Sequence, residues 1–483
     1  LGGSPKTGAS NLMESSMPAA PPVSREHAGA SRARRRRVQR GEFLRLLRLA
    51  GPIIVSQLGH VGMNTADTVM VGPLGAVPLA AAGLGSAIHW LSTIVCVGIL
   101  VGISPMVSQA YGARDIARCQ RVFVQGLWLA LWLAVPVTLV SLIGEPIALA
   151  IGQDAEVSAL TGRYLAAIAA SVLPWFLFTA FRQYMESMGH VKAPMVITFI
   201  GLGINIVFNA LLIYGVEGRI PALGVVGSGW ATTIVRWSMF IAVLFYVVRH
   251  RDLRVHHVPW RPDPAVQRHI LRVGLPVGGQ FGLEMGLFAF AAVMMGWLGP
   301  LELAAHQVTI NIASTTFMVA LGVSLAGSIL VGQHIGARKP RRMRRAVVAT
   351  YVLAVGFMGL CALLFVIAPH ALISLYTRDA AIVALGARLL LVAAAFQMFD
   401  GAQVAGVSVL RGAAETRSPA LIAGFGYWVI GVPVGYALAF PGSMGPVGIW
   451  SGLTVGLGVA AILLARRAHR VLWRTPLDQL HAG

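Results

Sequence analysis

Three carboxylates stand where a sequence should least tolerate them. The chain carries 18 Asp and Glu in 483 residues, most of them in polar loops and tails. Asp67, Glu284 and Asp400 lie instead inside long apolar runs. An unpartnered acid at the centre of a bilayer-spanning helix costs ~2.5–3.5 kcal/mol on insertion scales, so one that persists there needs a partner or a task. It can bind a cation, carry a proton, or hold helices together through a buried hydrogen bond. At a helix rise of ~1.5 Å per residue, Asp67 falls near the outer end of its run, whereas Glu284 and Asp400 fall mid-run.

Polar neighbours narrow the chemistry. Asn205 and Asn209 are spaced i, i+4 and share one helix face; beside Asp67 they offer oxygens to a cation, hydrogen-bond the carboxylate, or simply tie helices together. Gln280 is one turn before Glu284, placed to orient it. His306, Gln307 and Asn311 form a polar patch read as packing or pore lining, and His60 and His89 read as satisfied core histidines. Arg236, basic and inside an apolar run, either snorkels outward or pairs with an acid. Cys96, Cys119 and Cys361 form no disulfide framework and no paired metal-ligand spacing. No nucleotide-binding loop, metalloprotease HExxH, serine-nucleophile elbow or potassium-filter sequence is present, so neither ATP-driven transport by this chain alone nor an enzyme is indicated.

The elements that must position these residues follow from composition. Hydrophobic residues make up 56% of the chain, charged residues 12%, and the mean hydropathy is +0.73. A soluble protein carries about 25% charged residues to face water. Runs of ~20 apolar residues, each long enough for a bilayer core of roughly 30 Å, recur almost throughout. The pattern predicts an all-α polytopic membrane protein with twelve spans, at 45–71, 76–108, 121–144, 160–181, 194–215, 225–248, 270–298, 301–332, 346–369, 382–408, 418–440 and 445–466. The first run, Leu46 to Val71, is too long for a signal-peptide core and has no small-residue cleavage site, so it is read as a retained span.

The excess of 38 Lys and Arg gives a net charge of +20. With the N-terminus cytoplasmic, only Arg163, Arg219, Arg378 and Arg388 fall outside, while Arg114, Arg118, Arg121, the Arg249–Arg272 stretch and the run from Arg338 to Arg345 fall inside. The charge is thus the positive-inside bias of a membrane protein, and no nucleic-acid partner is expected.

An internal repeat completes the layout. Residues 70–115 match 294–339 at a constant offset of 224, with sixteen of 46 positions identical, among them Leu74-Gly75/Leu298-Gly299, Gln109/Gln333 and Gly112-Ala113-Arg114/Gly336-Ala337-Arg338. Pro52 and Pro276 share the offset. Six spans per unit is an even number, so the two parallel repeats enter the membrane alike and enclose a central cleft about an axis along the membrane normal. The expected organisation is a disordered basic tail (1–42), an N-lobe of spans 1–6 (43–248), a cytoplasmic linker (249–268), a C-lobe of spans 7–12 (269–468) and a cytoplasmic tail (469–483). In the repeat register Asp67 aligns with Ala291 and Glu284 aligns with His60, so the lobes carry different charges.

The segment Asp67-Thr68-Val69-Met70-Val71-Gly72-Pro73-Leu74-Gly75, the later Leu79-Ala80-Ala81 and the duplicated Gln-x-x-Gly-Ala-Arg resemble the multidrug and toxic compound extrusion (MATE) family, in its bacterial NorM-like branch, over roughly residues 43–468. The resemblance implies two six-helix lobes around a V-shaped cleft, and export of cationic amphipathic drugs in exchange for Na⁺ or H⁺, with no other cofactor. It implies that Asp67 is the N-lobe ion or proton site, accompanied by Asn205 and Asn209; some members carry Asp where this chain has Asn209, which leaves one charge fewer. It makes Glu284 and Asp400 the C-lobe carboxylates of cation coupling, so that Na⁺, if used, sits near Asp67 or near Glu284 and Asp400. Pro52 corresponds to the helix-1 proline at which bending is proposed. The expected setting is the inner (plasma) membrane, with both termini cytoplasmic and a monomer in contact with lipid. The alternatives are a lipid-linked precursor flippase of the same superfamily and a non-transport membrane protein.

Overall fold

Inside a bilayer every backbone N–H and C=O must be satisfied by its own helix, and helices make up nearly all of the described residues. The computed structural model describes residues 2–3, 25–217, 219–256 and 258–476. Its spanning helices are α1 (Arg25–Val71), α2 (Ala76–Gly112), α3 (Ile116–Leu142), α4 (Ala155–Ala169 with Val172–Ser187), α5 (Lys192–Ile213) and α6 (Val225–Arg249). The second set is α7 (Pro264–Leu298), α8 (Pro300–Gly336), α9 (Pro340–Ile367), α10 (Ala380–Gly412), α11 (Arg417–Ala439) and α12 (Pro446–Arg474). Ten are long and apolar enough to cross a membrane alone, and the two segments of α4, bent by 46°, make an eleventh. The remaining one, α1, is made more polar by Gln57, His60, Asn64 and Asp67. Side chains such as Leu91, Phe245, Ile367 and Leu421 point outward at 65–75% exposure, as a lipid-facing belt requires.

The bundle begins at Glu42. Helix α1 starts earlier, inside the stretch expected to be a tail, where Ala and Arg favour helix; residues 4–24 of that stretch, and 477–483 at the other end, lie outside the described residues.

The repeat is visible in the turns. Gly75 before α2 and Gly299 before α8 both take positive φ, 109° and 151°, a conformation open to glycine without a Cβ penalty. Four helices end alike: Asp115 N bonds Ala110 O, His190 N bonds Met185 O, Lys339 N bonds His334 O and Glu415 N bonds Leu410 O, at 2.9–3.0 Å. These are the six-to-one bonds of Schellman endings, here on α2, α4, α8 and α10. The left-handed residues are Arg114, Gly189, Arg338 and Ala414.

The cores show how the lobes are joined. The middle of α1 crosses into the second half: Leu46, Ala50 and Ile53 pack with Ala320, Val323 and Leu330 of α8. The first turns of α7 cross the other way, and Ile270, the repeat counterpart of Leu46, joins Phe123, Tyr184 and Leu253 in the first half. Pro52 and Pro276 sit at these crossovers inside continuous helices. Helix α11 carries a π-helical stretch at Phe425–Gly431, a local widening common where a helix serves a site.

Candidate functional site

In the first half, α1 and α5 lie side by side and bring Asp67 against the asparagine pair. Asn205 donates from Nδ2 to Asp67 Oδ1 at 2.9 Å, and Asn209 donates to the same oxygen at 2.6 Å. Both asparagines are buried. Their amide oxygens are also buried and without a hydrogen-bond partner. The N–H groups hold the carboxylate, and the oxygens remain as acceptors. A carboxylate beside two amide oxygens is a hard donor set, suited to Na⁺ or a proton-bearing cation rather than a soft metal.

A cationic cluster lies in the same half. Arg236 Nη1 donates to His89 Nε2 at 3.0 Å and to Ser171 Oγ at 2.8 Å, and its guanidinium stands 5.0 Å above Trp175. Arg182 Nη1 donates to His60 Nε2 at 3.1 Å, and His60 meets the edge of Trp175 at 5.3 Å. A guanidinium only donates, so each imidazole accepts through Nε2 and is neutral, with its proton on Nδ1. Arg236 thus turns inward, and it forms no ion pair among the described residues; the break in α4 after Ala169 places Ser171 and Trp175 to receive it. Arg182 falls one residue past the predicted fourth span (160–181), and its place in α4 is what the apolar pattern does not reveal.

In the second half Glu284 of α7 and Asp400 of α10 line one cavity of about 40 Å³ with Phe288, Ser314, Phe317 and Phe396. Such a space holds an ion with a few waters; a drug needs roughly 300–1,000 Å³. Gln397, one turn before Asp400, donates to Thr316 Oγ1, and Gln403 donates to Tyr427 Oη at 2.7 Å inside the π-helical stretch of α11. Trp428 of the same stretch donates to the Leu283 carbonyl at 3.1 Å, which ties α11 to the turn bearing Glu284.

Gln280 is buried but makes no hydrogen bond to Glu284 among the described residues. The charged group nearby is Arg411, 3% exposed, whose guanidinium lies 5.5 Å from the ring of Phe281, one turn from Glu284. Arg411 falls three residues past the predicted tenth span (382–408), although α10 continues to Gly412. The available signal was its spacing of eleven residues from Asp400, three helical turns along the same face. His306 packs edge-on to Trp450 at 5.7 Å, and Asn311 bonds back to the Gln307 carbonyl. No group of three or more His, Cys, Asp or Glu that could hold a metal occurs among the described residues.

A two-lobed bundle of twelve membrane-crossing helices, with a half-buried acid held by two asparagines in one lobe, an acid pair in the other and no metal-binding cluster among the described residues, has the build of a transporter. The chain belongs to the MatE family, whose model matches residues 52–211 and again 276–437, two matches that begin 224 residues apart. It is 36% identical over 441 residues to the "Probable multidrug resistance protein NorM" of Mesorhizobium japonicum, covering 89% of this chain and 94% of that one. It is likewise 36% identical over 430 residues to the "Multidrug resistance protein NorM" of Burkholderia vietnamiensis, covering 87% and 92%. In fold it is similar to the eukaryotic MATE transporter AtDTX14 (TM-score 0.83, 21% identity, 92% and 98% covered). A MATE solved in a bent conformation is equally similar (TM-score 0.84, 21% identity, 92% and 99% covered). The protein is a multi-pass membrane transporter and not an enzyme.

Proposed function

We propose that this chain is a secondary active multidrug efflux transporter of the inner membrane, exporting cationic amphipathic compounds by antiport with Na⁺ or H⁺. The single observation that supports coupling best is the pair of acid sites, one in each lobe: Asp67 gripped by Asn205 and Asn209, and Glu284 with Asp400 on a cavity of ion size. A carboxylate that meets either the drug's positive charge or the ion, and never both, couples the two flows without further machinery. Both termini and the basic loops face the cytoplasm in this reading, and 43–248 and 269–468 act as the moving lobes of a monomer.

With the cleft open inward, a cationic drug sits near the carboxylates, held by charge and by aromatic walls. With the cleft open outward, Na⁺ or H⁺ reaches Asp67, or Glu284 and Asp400, neutralises the charge and releases the drug. Each tenfold ion gradient supplies ~1.4 kcal/mol, and 100 mV adds ~2.3 kcal/mol per net charge moved. A one-for-one exchange of monovalent cations therefore draws on the ion gradient and gains nothing from voltage.

The deciding experiment is efflux of a fluorescent cation from proteoliposomes under a Na⁺ gradient and a pH gradient imposed separately, with Asp67→Asn and Glu284→Gln beside the unaltered protein. Efflux that follows one gradient and is lost in both variants supports antiport and names the ion. Indifference to both gradients, with the variants unchanged, overturns it and leaves the acids a structural role.

A further inference from the structure

The duplicated Gln-x-x-Gly-Ala-Arg motif closes on itself. Gly112 at the end of α2 lies so close to α8 that a Cβ there would overlap the Gln333 backbone, and a Cβ on Gly336 at the end of α8 would overlap the Gln109 carbonyl. The side chains repeat the exchange. Gln109 Nε2 donates to the Gly412 carbonyl at the end of α10 at 3.1 Å, and Gln333 Nε2 donates to the Ser187 carbonyl at the end of α4 at 2.9 Å. Gln109 and Gln333 are repeat counterparts, and Ser187 and Gly412 end the fourth helix of each repeat. Each lobe thus lends one glutamine to a C-terminal carbonyl of the other, where a helix leaves its last C=O groups without internal donors.

This is the logic of an isologous contact, in which residue i meets j while the partner's i meets the other j, built here inside one chain. Residues from all four Schellman-ended helices take part, and both glutamines are buried. The neighbouring crossings extend the pairing: Gly98 of α2 lies against Gly278 of α7, and their repeat counterparts Gly322 of α8 and Ile54 of α1 also meet. Glycine-thin crossings bring the helix backbones together with few side chains interlocked across the seam. A joint of that build can part and re-form as a unit, and the two glutamine bonds across it are equivalent about the axis.

We infer that the two copies of this motif form the gate at the basic, cytoplasmic end of the transporter, with Gln109 and Gln333 as its paired latches. The inference rests on the alternating-access reading above. In the conformation described the gate is shut. Admission of substrate from the cytoplasm requires both glutamine bonds to break together, since both cross the one seam along which the lobes must separate.

The test places a reporter in the seam. Ser108 is fully buried one residue before Gln109, and its Cβ lies 2.9 Å from where a Cβ on Gly332 would stand. In a background with Cys96, Cys119 and Cys361 changed to Ala, Ser108→Cys alters one atom and keeps the seam. Membrane-impermeant maleimide is applied from the cytoplasmic face while efflux of a fluorescent cation is followed. Labelling that appears only during turnover is expected, and Gln109→Ala or Gln333→Ala should raise its rate about tenfold, the rough worth of one buried hydrogen bond in an equilibrium. Vigorous efflux with Ser108→Cys never labelled overturns the gate, and that variant decides the matter even if the alanine variants fail to fold. Absence of efflux from the unaltered protein as well would instead overturn the transport reading.

Discussion

Asn209 Nδ2 stands 2.6 Å from Asp67 Oδ1, across 142 residues of chain and two helices. The same carboxylate oxygen also accepts from Asn205, so the acid is fixed by two N–H groups spaced one helical turn apart. That geometry decides how the site behaves when either amide is removed.

Asn209→Ala should lower stability by about 1.5–3 kcal/mol, the usual worth of a hydrogen bond to a charged group, and slow efflux. Asn205→Ala should do the same. Asn209→Asp keeps the size but removes the N–H donor and sets two carboxylates together; it should lose more than Asn205→Ala if Asp67 is ionised. Thermal denaturation in detergent, read with the efflux rate, checks all three. Full stability in Asn209→Ala would mean that the amide does not hold the acid.

Glu284 and Asp400 share one small cavity, and residues that act as a unit do not add. Glu284→Gln and Asp400→Asn should each abolish gradient-driven efflux, and the double variant should be no worse than either. A double-mutant cycle on Na⁺ or proton binding measures the coupling. Effects that sum independently would separate the two acids into different sites.

Much of this was legible in the residues themselves. The apolar periods and the basic loops specify twelve helices, and the gap-free offset of 224 specifies two parallel halves. Asp67, Asn205 and Asn209 could be grouped because i, i+4 spacing fixes a face. The crossover of α1 and α7 was not legible, because hydropathy carries no information on which lobe a buried turn joins. The arginines at 182 and 411 were missed for a related reason: each lies at the end of an apolar run, where composition reads as loop although the helix continues. Nor could spacing say that Gln280 would leave Glu284 unbonded, since i, i+4 permits contact without requiring it.

Arg236 joins three elements through His89, Ser171 and Trp175. Arg236→Met should cost on the order of 1–3 kcal/mol by leaving a buried imidazole and hydroxyl without their partner. Arg236→Lys keeps the charge but loses the planar fork and the fit over the indole, and should fall between. A melting series in detergent checks the order. A methionine variant as stable as the unaltered protein would show that the cluster contributes nothing to folding.

Pro52 lies where α1 passes from the core of one lobe toward the other, and it deprives the helix of one backbone bond. Pro52→Ala restores that donor, so the helix should stiffen and melt at a higher temperature while efflux slows. Pro276→Ala should act in the same direction through α7. Faster efflux together with lower stability in both variants would count against a hinge at these positions.

Glu42 bonds His334 at 3.0 Å where α1 crosses onto α8, and Arg342 stands 3.6 Å away. Burial pushes the Glu42 carboxyl up, but the hydrogen bond and charge of His334, with Arg45 and Arg342, outweigh it and hold the carboxyl below the ordinary glutamate value. A group whose folded value is depressed stabilises the fold above its unfolded value and loses that contribution as pH falls through the folded one. Glu42→Gln should therefore melt below the unaltered protein at pH 7, by about 1–3 kcal/mol. The two should converge as the medium is acidified past the ordinary glutamate range and the carboxylate takes its proton. Denaturation curves across that range give the answer: a difference that persists unchanged into acid would show that the charge of Glu42, and hence the pair it forms with His334, does not hold α1 to α8.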